Sequence, residues 1–485
     1  MIRNERIDLA ILLLISLLLS IYLFFRTYVI SMDGAFQYIP IARDFAAGSF
    51  KKALSQGQQP LYPFLVAFVS RWVSDFEIAG KVVSSIFGIL MVLPVYFLGK
   101  QIFDKKIAFV STLLLTIHPY IRRFSADVLK ESTYLFFLVT AFWFAWRVIQ
   151  REKQLSFLFI PIFSFIAYFS RPDGVEILLV VFFYIFFIKK ISEVGKKWKV
   201  ILLLLVFSVI LFLPYILYLK EVTGEWTLSK FKGIREIFTW GIMRAEVSII
   251  YKILDSFKTL NYKILSIYSP LFILLLFVGI WKKVFSHLKI GEGFIISFLV
   301  LHYLILFLLI LNSTDWSLHE TDRFSLFSGR HVLPLLLISI YWVGEGFLTI
   351  LHWVLKLMES HRSLLRVEGK RKSAIILVTL LVLVLAIILP KTLKPQRHER
   401  LSEKWAGLWI KNQSGKGTTI FTDMPRVAYY ADGSYEYIDL RKSPINKIKA
   451  SMIEKKALYL VIHEQHVSDY PEEVKLIQKD FVEII

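Results

Sequence analysis

The sequence predicts a polytopic α-helical membrane protein that ends in a small α/β domain. The 485 residues are 56% hydrophobic and 16% aromatic, with a mean hydropathy of +0.59. A soluble protein of this length does not carry so much apolar surface. Several apolar runs also approach the length needed to cross hydrocarbon. After Pro390 the pattern changes to alternating helix and strand signals, which indicate a domain outside the membrane.

Hydropathy predicts about eleven membrane spans, with up to about thirteen allowed by the pattern. The N-terminal MIRNER and its apolar run lack a small-residue cleavage site, so we expect an uncleaved first span. Residues 61–73 are too short to cross and are expected at the membrane interface. The expected spans are 8–26, 82–99, 107–121, 132–149, 156–170, 175–188, 200–219, 263–281, 293–312, 332–352 and 374–390.

The basic residues predict the orientation of the chain. The net charge is +20, but the Lys and Arg residues cluster between apolar runs, which is the positive-inside pattern and not a nucleic-acid footprint. With the N-terminus in the cytoplasm, the clusters at 100–106, 147–153, 189–199, 282–289 and 362–372 all face inwards. We therefore expect a multi-pass protein of the plasma (inner) membrane with an extracytoplasmic C-terminal domain.

This orientation brings the polar segments together on the outer face, as an active site requires. The expected division is a transmembrane domain over 1–390 and an α/β domain over 391–485. In the second domain we expect a helix over 399–412, a strand over 418–422, a helix starting at Ser443-Pro444 and a strand over 457–463. The outer segments are 31–81, expected to be catalytic, with 125–131, 171–174, 220–262 and 313–331.

The outer segment that follows the first span holds an acid, Asp33, at the expected membrane edge. A carboxylate fixed there could act as a base beside an anionic lipid headgroup. The alternative is an ordinary loop in which Asp33 caps a helix. Tyr38, Ala42 and Phe45 follow at roughly helical spacing.

Two further outer segments carry candidate polar groups. In SADVLKE, Asp127 and Glu131 are four residues apart, so on a helix they would share a face. They could bind a cation or position an acceptor, or they could be solvated residues that open a helix. In RPDG, Pro172 and Gly174 force a turn that places Arg171 and Asp173 at the membrane lip. Arg171 offers a donor fork for phosphate, or snorkels to the interface.

The two longer outer loops give weaker signals. The 313–331 loop ends in Arg330 and His331, and Arg330 precedes a span where a lipid phosphate would rest, so anion binding is favoured. Its His and Glu residues match no established zinc spacing. The 220–262 loop mixes Trp with Lys and Arg, which suits a lipid headgroup, sugar stacking or a plain interfacial helix. Cysteine is absent, and no nucleotide-binding motif is present.

Together these motifs resemble the GT-C superfamily of polytopic glycosyltransferases, in particular the branch of protein O-mannosyltransferases and the lipid A aminoarabinose transferase. The resemblance covers roughly residues 1–350. It rests on Asp33 with its downstream pattern through PLYP, on HPYIRRFSADVLKESTYLFF, on AYFSRPDG and on GRHVLPLL.

The resemblance implies an inverting enzyme whose donor is a sugar on a polyprenyl phosphate. It implies Asp33 as the general base, and Arg330, Arg171 and Arg123 as candidates for binding the donor phosphate. Asp127 and Glu131 would position the acceptor or help hold a divalent cation. Supporting roles are expected for Tyr38, Asp173, His331 and Arg323.

The sequence departs from its relatives after Asp33. Many relatives carry a second acid there, whereas this chain has Gly34, which weakens the case for a divalent cation. The acceptor could be a protein, a lipid or a glycan. A transporter or flippase of lipid-linked saccharides is the alternative function, and it would require polar or broken helices near the membrane midplane.

Overall fold

The computed structural model describes residues 5–150, 156–187, 194–230, 247–284, 288–314, 316, 327–360, 369–438 and 445–463. Apolar helices make up the membrane part, and short helices follow the first of them. These helices are α1 (Glu5–Arg26), α2 (Ile39–Ala46), α3 (Phe50–Ser55), α4 (Leu61–Val69), α5 (Phe76–Leu90), α6 (Val92–Ile102), α7 (Lys105–Ile117), α8 (Pro119–Ser125), α9 (Glu131–Ile149), α10 (Ser156–Ser170), α11 (Glu176–Phe187), α12 (Val194–Thr223), α13 (Ile249–Val284), α14 (Ile290–Ser313), α15 (Leu333–Ser360) and α16 (Gly369–Leu393).

Each predicted span corresponds to one or two of these helices. Within the described residues, seven helices are long and apolar enough to cross a membrane, and 157–170 and 378–393 are shorter apolar helices. The protein is therefore a multi-pass membrane protein, as predicted. The span expected over 107–121 is interrupted, because His118 has extended backbone and Pro119 opens a new helix, α8.

Helix α15 lies at the centre of the membrane part. In its apolar window 89% of the residues are buried, against α13 and α7 among others. Gly279 and Gly346 allow α13 and α15 to approach closely, since a Cβ at Gly346 would lie 1.9 Å from the Leu275 carbonyl oxygen. In a bilayer the hydrophobic effect does not drive helices together, and small residues favour association because they let the backbones pack closely.

The C-terminal part is a small α/β unit, as predicted. Its elements are α17 (Leu401–Ser414), β1 (Thr419–Thr422), α18 (Pro425–Tyr430), β2 (Ser434–Tyr437), α19 (Ile445–Glu454) and β3 (Tyr459–Val461). The strands form a parallel sheet in the order β2-β1-β3, with Ile420 paired to Tyr435 and to Tyr459. The sequence did not predict α18 and β2, because SYEY is a short, partly exposed edge strand without an apolar face. The Ser443-Pro444 helix start lies outside the described residues.

The C-terminal unit packs on the segment between α1 and α2. Gln396 pairs with Thr27 in a short parallel bridge, and the Tyr430 hydroxyl accepts a hydrogen bond from the Ile30 amide at 2.9 Å. The Arg426 guanidinium donates to the Ile30 carbonyl oxygen at 2.9 Å. A second core cluster, which includes Tyr38 and Tyr430, fills the contact. Contacts with the C-terminal unit thus fix the backbone that leads into Asp33.

Candidate active site

Asp33 lies at the start of a five-residue π-helical turn, Gly34–Tyr38, that continues into α2. Its side chain makes no capping hydrogen bond, so the helix-cap interpretation is wrong. Instead the carboxylate is half-buried and pairs with the guanidinium of Arg330. The structure therefore joins the first outer segment to the start of α15, which are 297 residues apart.

Packing around Gly34, the residue after Asp33, leaves no room for a side chain. A Cβ at Gly34 would lie 2.8 Å from Ser31 Oγ and 2.9 Å from Val128 Cβ. The Ser31 hydroxyl is itself held by a 2.8 Å hydrogen bond to the Val128 carbonyl oxygen. A second acid at position 34 has no room, because the turn packs directly on the segment before α9.

Glu131 is the first residue of α9 and is 1% exposed. Its Oε1 atom lies 3.5 Å from Arg171 and 3.8 Å from Arg330. The buried carboxylate therefore lies between two guanidinium groups. Because each arginine has a further carboxylate partner, the three acids and two arginines form one connected cluster.

Arg171 and Asp173 occupy the turn between α10 and α11, as RPDG predicts. The Nε and Nη2 atoms of Arg171 both donate to Asp173 Oδ2, at 3.1 and 2.8 Å. Burial alone would raise the pKa of Asp173, but the Arg171 charge holds it well below its usual value. Asp173 is therefore a carboxylate at physiological pH, and it fixes Arg171 towards Glu131.

A buried chain of hydrogen bonds supports the short helical turn Gly329–Val332, which carries Arg330. The His302 imidazole lies 2.6 Å from Glu176 Oε2 through Nδ1 and 3.0 Å from the His331 carbonyl oxygen through Nε2. His331 Nδ1 in turn accepts from the Ser328 amide at 3.1 Å. The sequence analysis missed Glu176, the first residue of α11, and His302, which lies within α14. An ionisable residue within an apolar segment was the available signal.

Lys130 is a further cation of the site that the sequence analysis missed, although it lies within the quoted SADVLKE stretch. Its ammonium donates to Gln58 at 2.9 Å and lies 5.5 Å from the centre of the Tyr38 ring. Burial, together with the charge of Arg171, lowers the pKa of Lys130 to about 8. Tyr38 is buried beneath it, and burial raises the pKa of its hydroxyl well above the usual value.

The structure does not bring Asp127 into this cluster. It precedes α9, so the expected shared helix face with Glu131 is not formed. Its Oδ1 atom accepts from the Ser31 amide at 3.2 Å, and its Oδ2 atom lies 2.5 Å from Arg397. Arg123 is half-buried on α8, and among the described residues it makes no ion pair with the cluster. Arg323 lies outside the described residues.

Replacing Arg397 by alanine should destabilise the protein, because it leaves the fully buried Asp127 carboxylate unpaired. We expect the free energy of unfolding to fall by about 3 kcal/mol, measured as denaturant unfolding in detergent. The matched control is Lys52→Ala, which removes an exposed 2.8 Å pair with Asp44 and should change stability little. Equal stability of the two variants would contradict the anchoring role of Arg397.

No metal site can be assigned among the described residues, which contain no group of three metal-ligating side chains. The nearest carboxylates do not fit one, because Asp33, Glu131 and Asp173 each pair with arginine. A divalent cation therefore stays a prediction of the sequence alone.

The comparisons with known proteins concern the fold that carries this cluster. ArnT from Cupriavidus metallidurans bound to undecaprenyl phosphate matches 94% of this chain over 89% of its own, with 12% identity and a TM-score of 0.57. This chain has the GT-C fold. The fold that the resemblance implies is thus confirmed, and nothing in the comparisons supports the transporter alternative.

Other solved structures share this fold, and one family model matches part of the chain. The Archaeoglobus fulgidus oligosaccharyltransferase with Zn and sulfate is 14% identical, with a TM-score of 0.55; the match covers 88% of this chain and 62% of that one. The archaeal oligosaccharyltransferase AglB of that organism, with an inhibitory peptide and a dolichol-phosphate, is 12% identical, with a TM-score of 0.56 and coverages of 95% and 69%. The family model for dolichyl-phosphate-mannose-protein mannosyltransferase matches residues 57–218. No curated protein sequence matches the chain.

Proposed function

We propose that the protein is an inverting glycosyltransferase that moves a sugar from a polyprenyl-phosphate donor to an acceptor on the outer face of the plasma membrane. One observation carries the proposal. A half-buried carboxylate, Asp33, directly contacts Arg330, and a second arginine and a lysine lie beside them. A general base next to a group of phosphate-binding cations is what this transfer requires. ArnT, a GT-C structure with bound undecaprenyl phosphate, supports a lipid-phosphate donor.

In the proposed reaction Asp33 takes the proton of the acceptor hydroxyl as its oxygen attacks the anomeric carbon. The new bond forms on the face opposite the phosphate, so the configuration inverts. The bond between the anomeric carbon and the phosphate oxygen breaks, and its electron pair leaves with the lipid phosphate. Arg330, Arg171 and Lys130 stabilise the charge that develops there, so no general acid is needed.

The contact between Asp33 and Arg330 would couple donor binding to activation of the base. A lipid phosphate bound to Arg330 would compete with the Asp33 carboxylate for the same guanidinium. Asp33 then becomes free to accept a proton from the acceptor. Glu131 stays in place, because it is also paired with Arg171. Donor binding would in this way activate the base.

The proposed function is tested with purified protein in detergent. Radiolabelled polyprenyl-phosphate monosaccharides are supplied with a membrane extract as acceptor, and released lipid phosphate and the anomeric configuration of the product are measured. We expect release from one or a few donors, with inversion. Retention of configuration, or tight donor binding without release in the presence of the full extract, would contradict the proposal.

The Lys130 ammonium gives the reaction a predicted pH dependence. The pKa of about 8 lies below the usual lysine value, so the positive charge is present below pH 8 and lost as the pH rises through it. Donor KM should therefore rise about tenfold between pH 7 and pH 9.5. Lys130→Arg should abolish this rise, since arginine stays charged. If the donor KM of Lys130→Arg rose with pH as the wild-type value does, Lys130 would have no role in donor binding.

A further inference from the structure

A recess lies between the π-helical turn with α2 on one side and the C-terminal unit on the other. It has a volume of about 230 Å³. One wall is the face of the π-helical turn and α2 that carries Phe36, Ile39 and Arg43, and the opposite wall comes from α18 and the start of β2. Asp33 begins the same turn three residues before Phe36, but its carboxylate faces Arg330 instead.

Aromatic rings line this recess and continue out of it. The Phe36 ring, 48% exposed, meets the Tyr435 ring edge to face at 5.3 Å. Tyr435 is followed on the same face of β2 by Tyr437, with ring centres 6.5 Å apart, and Tyr437 is 61% exposed. The three rings therefore form a path from the recess to the surface. Successive exposed rings suit a ligand with repeated apolar faces.

The recess also carries a polar pair. Arg43 lies 3.2 Å from Asp432, with side-chain exposures of 48% and 25%, and its guanidinium lies 5.9 Å from the centre of the Tyr429 ring. Both groups are reachable from the cavity. A carboxylate and a guanidinium side by side can accept from and donate to neighbouring hydroxyl groups. A lipid chain would remove this partly exposed pair from water without offering it hydrogen bonds, so an amphipathic ligand fits better.

We propose that this recess binds a carbohydrate unit of the acceptor, with Phe36, Tyr435 and Tyr437 as stacking surfaces and the Arg43–Asp432 pair as the hydroxyl-binding group. The proposal rests on the proposed function and deepens it, since it assigns a glycan as the acceptor class. The volume suits one sugar ring with its neighbour on the aromatic path. The C-terminal unit would then supply one wall of the acceptor site as well as fix the Asp33 segment.

The test is glycan binding by the whole protein in detergent, which needs no catalysis. A fluorescently labelled sample is applied to a printed array of neutral and acidic oligosaccharides. We expect wild type to bind a defined group of glycans, and Phe36→Ala and Tyr435→Ala to weaken that binding at least about tenfold. Asp432→Asn should weaken it too; Asp432 has φ +53°, and asparagine tolerates this backbone conformation.

Two controls separate binding from folding. Trp405→Ala removes an exposed aromatic ring of the same domain outside the recess and should bind glycans as wild type does. Tyr435→Phe keeps the ring and should retain most of the binding. Failure of all array glycans to bind wild type, or binding that survives Phe36→Ala and Tyr435→Ala, would overturn the proposal. Capture of peptides from a parallel peptide array through the same rings would overturn it as well.

The outcome is distinguishable from failure of the proposed function. If the protein is no transferase, glycans still bind through Phe36 and Tyr435, but Asp33-dependent release of lipid phosphate is absent. If the recess is not a glycan site, that release persists and none of the ring substitutions changes the acceptor KM. When both proposals hold, Tyr435→Ala raises the acceptor KM while the donor KM is unchanged.

Discussion

Asp33→Asn should lower sugar transfer by about 10³-fold while donor binding is retained or tightened. The reason lies in the pair with Arg330. Asparagine removes the proton acceptor, so the chemical step fails, but it also removes the carboxylate that competes with the donor phosphate for Arg330. The measurement is kcat from release of radiolabelled lipid phosphate, together with donor Kd from equilibrium binding.

The matched control for Asp33 is Asp44 of the same outer segment. Asp44 pairs with Lys52 at 2.8 Å and with Gln56 at 2.6 Å, and it is separate from the arginine cluster. Asp44→Asn should transfer sugar at close to the wild-type rate. If Asp33→Asn retained more than about a tenth of wild-type kcat, a general-base role for Asp33 would be untenable.

The second large effect is expected from Arg330→Ala. Arg330 contacts Asp33 and lies 3.8 Å from Glu131, so it is the cation that connects Asp33, the proposed base, to the rest of the cluster. Its removal should lower kcat/KM for the donor by about 10²- to 10³-fold, since the departing phosphate loses its nearest charged donor. Both kcat and donor KM should change, unlike the effect of Asp33→Asn.

Two comparisons sharpen this second prediction. Arg330→Lys keeps the charge but loses the planar guanidinium, which can donate to two phosphate oxygens at once, so we expect only partial activity. Arg71→Ala removes an exposed arginine beside Phe68 and should leave the kinetics unchanged. If the donor KM of Arg330→Ala equalled the wild-type value, Lys130 and Arg171 alone would bind the donor phosphate.

The sequence was sufficient to predict the long apolar helices and the turn that carries Arg171. Long apolar runs identify α1, α14 and α15 by length and composition, because a bilayer imposes both. Pro172 and Gly174 identify the turn that holds Arg171. The predicted cluster members Arg171, Asp173, Glu131, Asp33 and Arg330 lie together, although the role of each stays a proposal.

The pairings could not be predicted, because they depend on how distant helices pack. Nothing in the local pattern shows that Arg330 would contact Asp33, or that Asp127 would be paired with Arg397. Helical spacing put Asp127 on a face with Glu131, but the chain is irregular before α9, where the Asp127 side chain bonds its own segment. His302 was missed because span prediction averages over a single polar residue.

The bridge between Thr27 and Gln396 bears on how the protein is made. The segment leading into Asp33 leaves the ribosome early, but its partner Tyr430 follows Ile30 by 400 residues. Contacts this far apart in sequence form only after the intervening helices have been inserted. A nascent or truncated chain would thus lack the contacts that hold the segment leading into Asp33, the proposed base. Competence for transfer would arise only at the end of synthesis, so unfinished chains would be inert in the membrane.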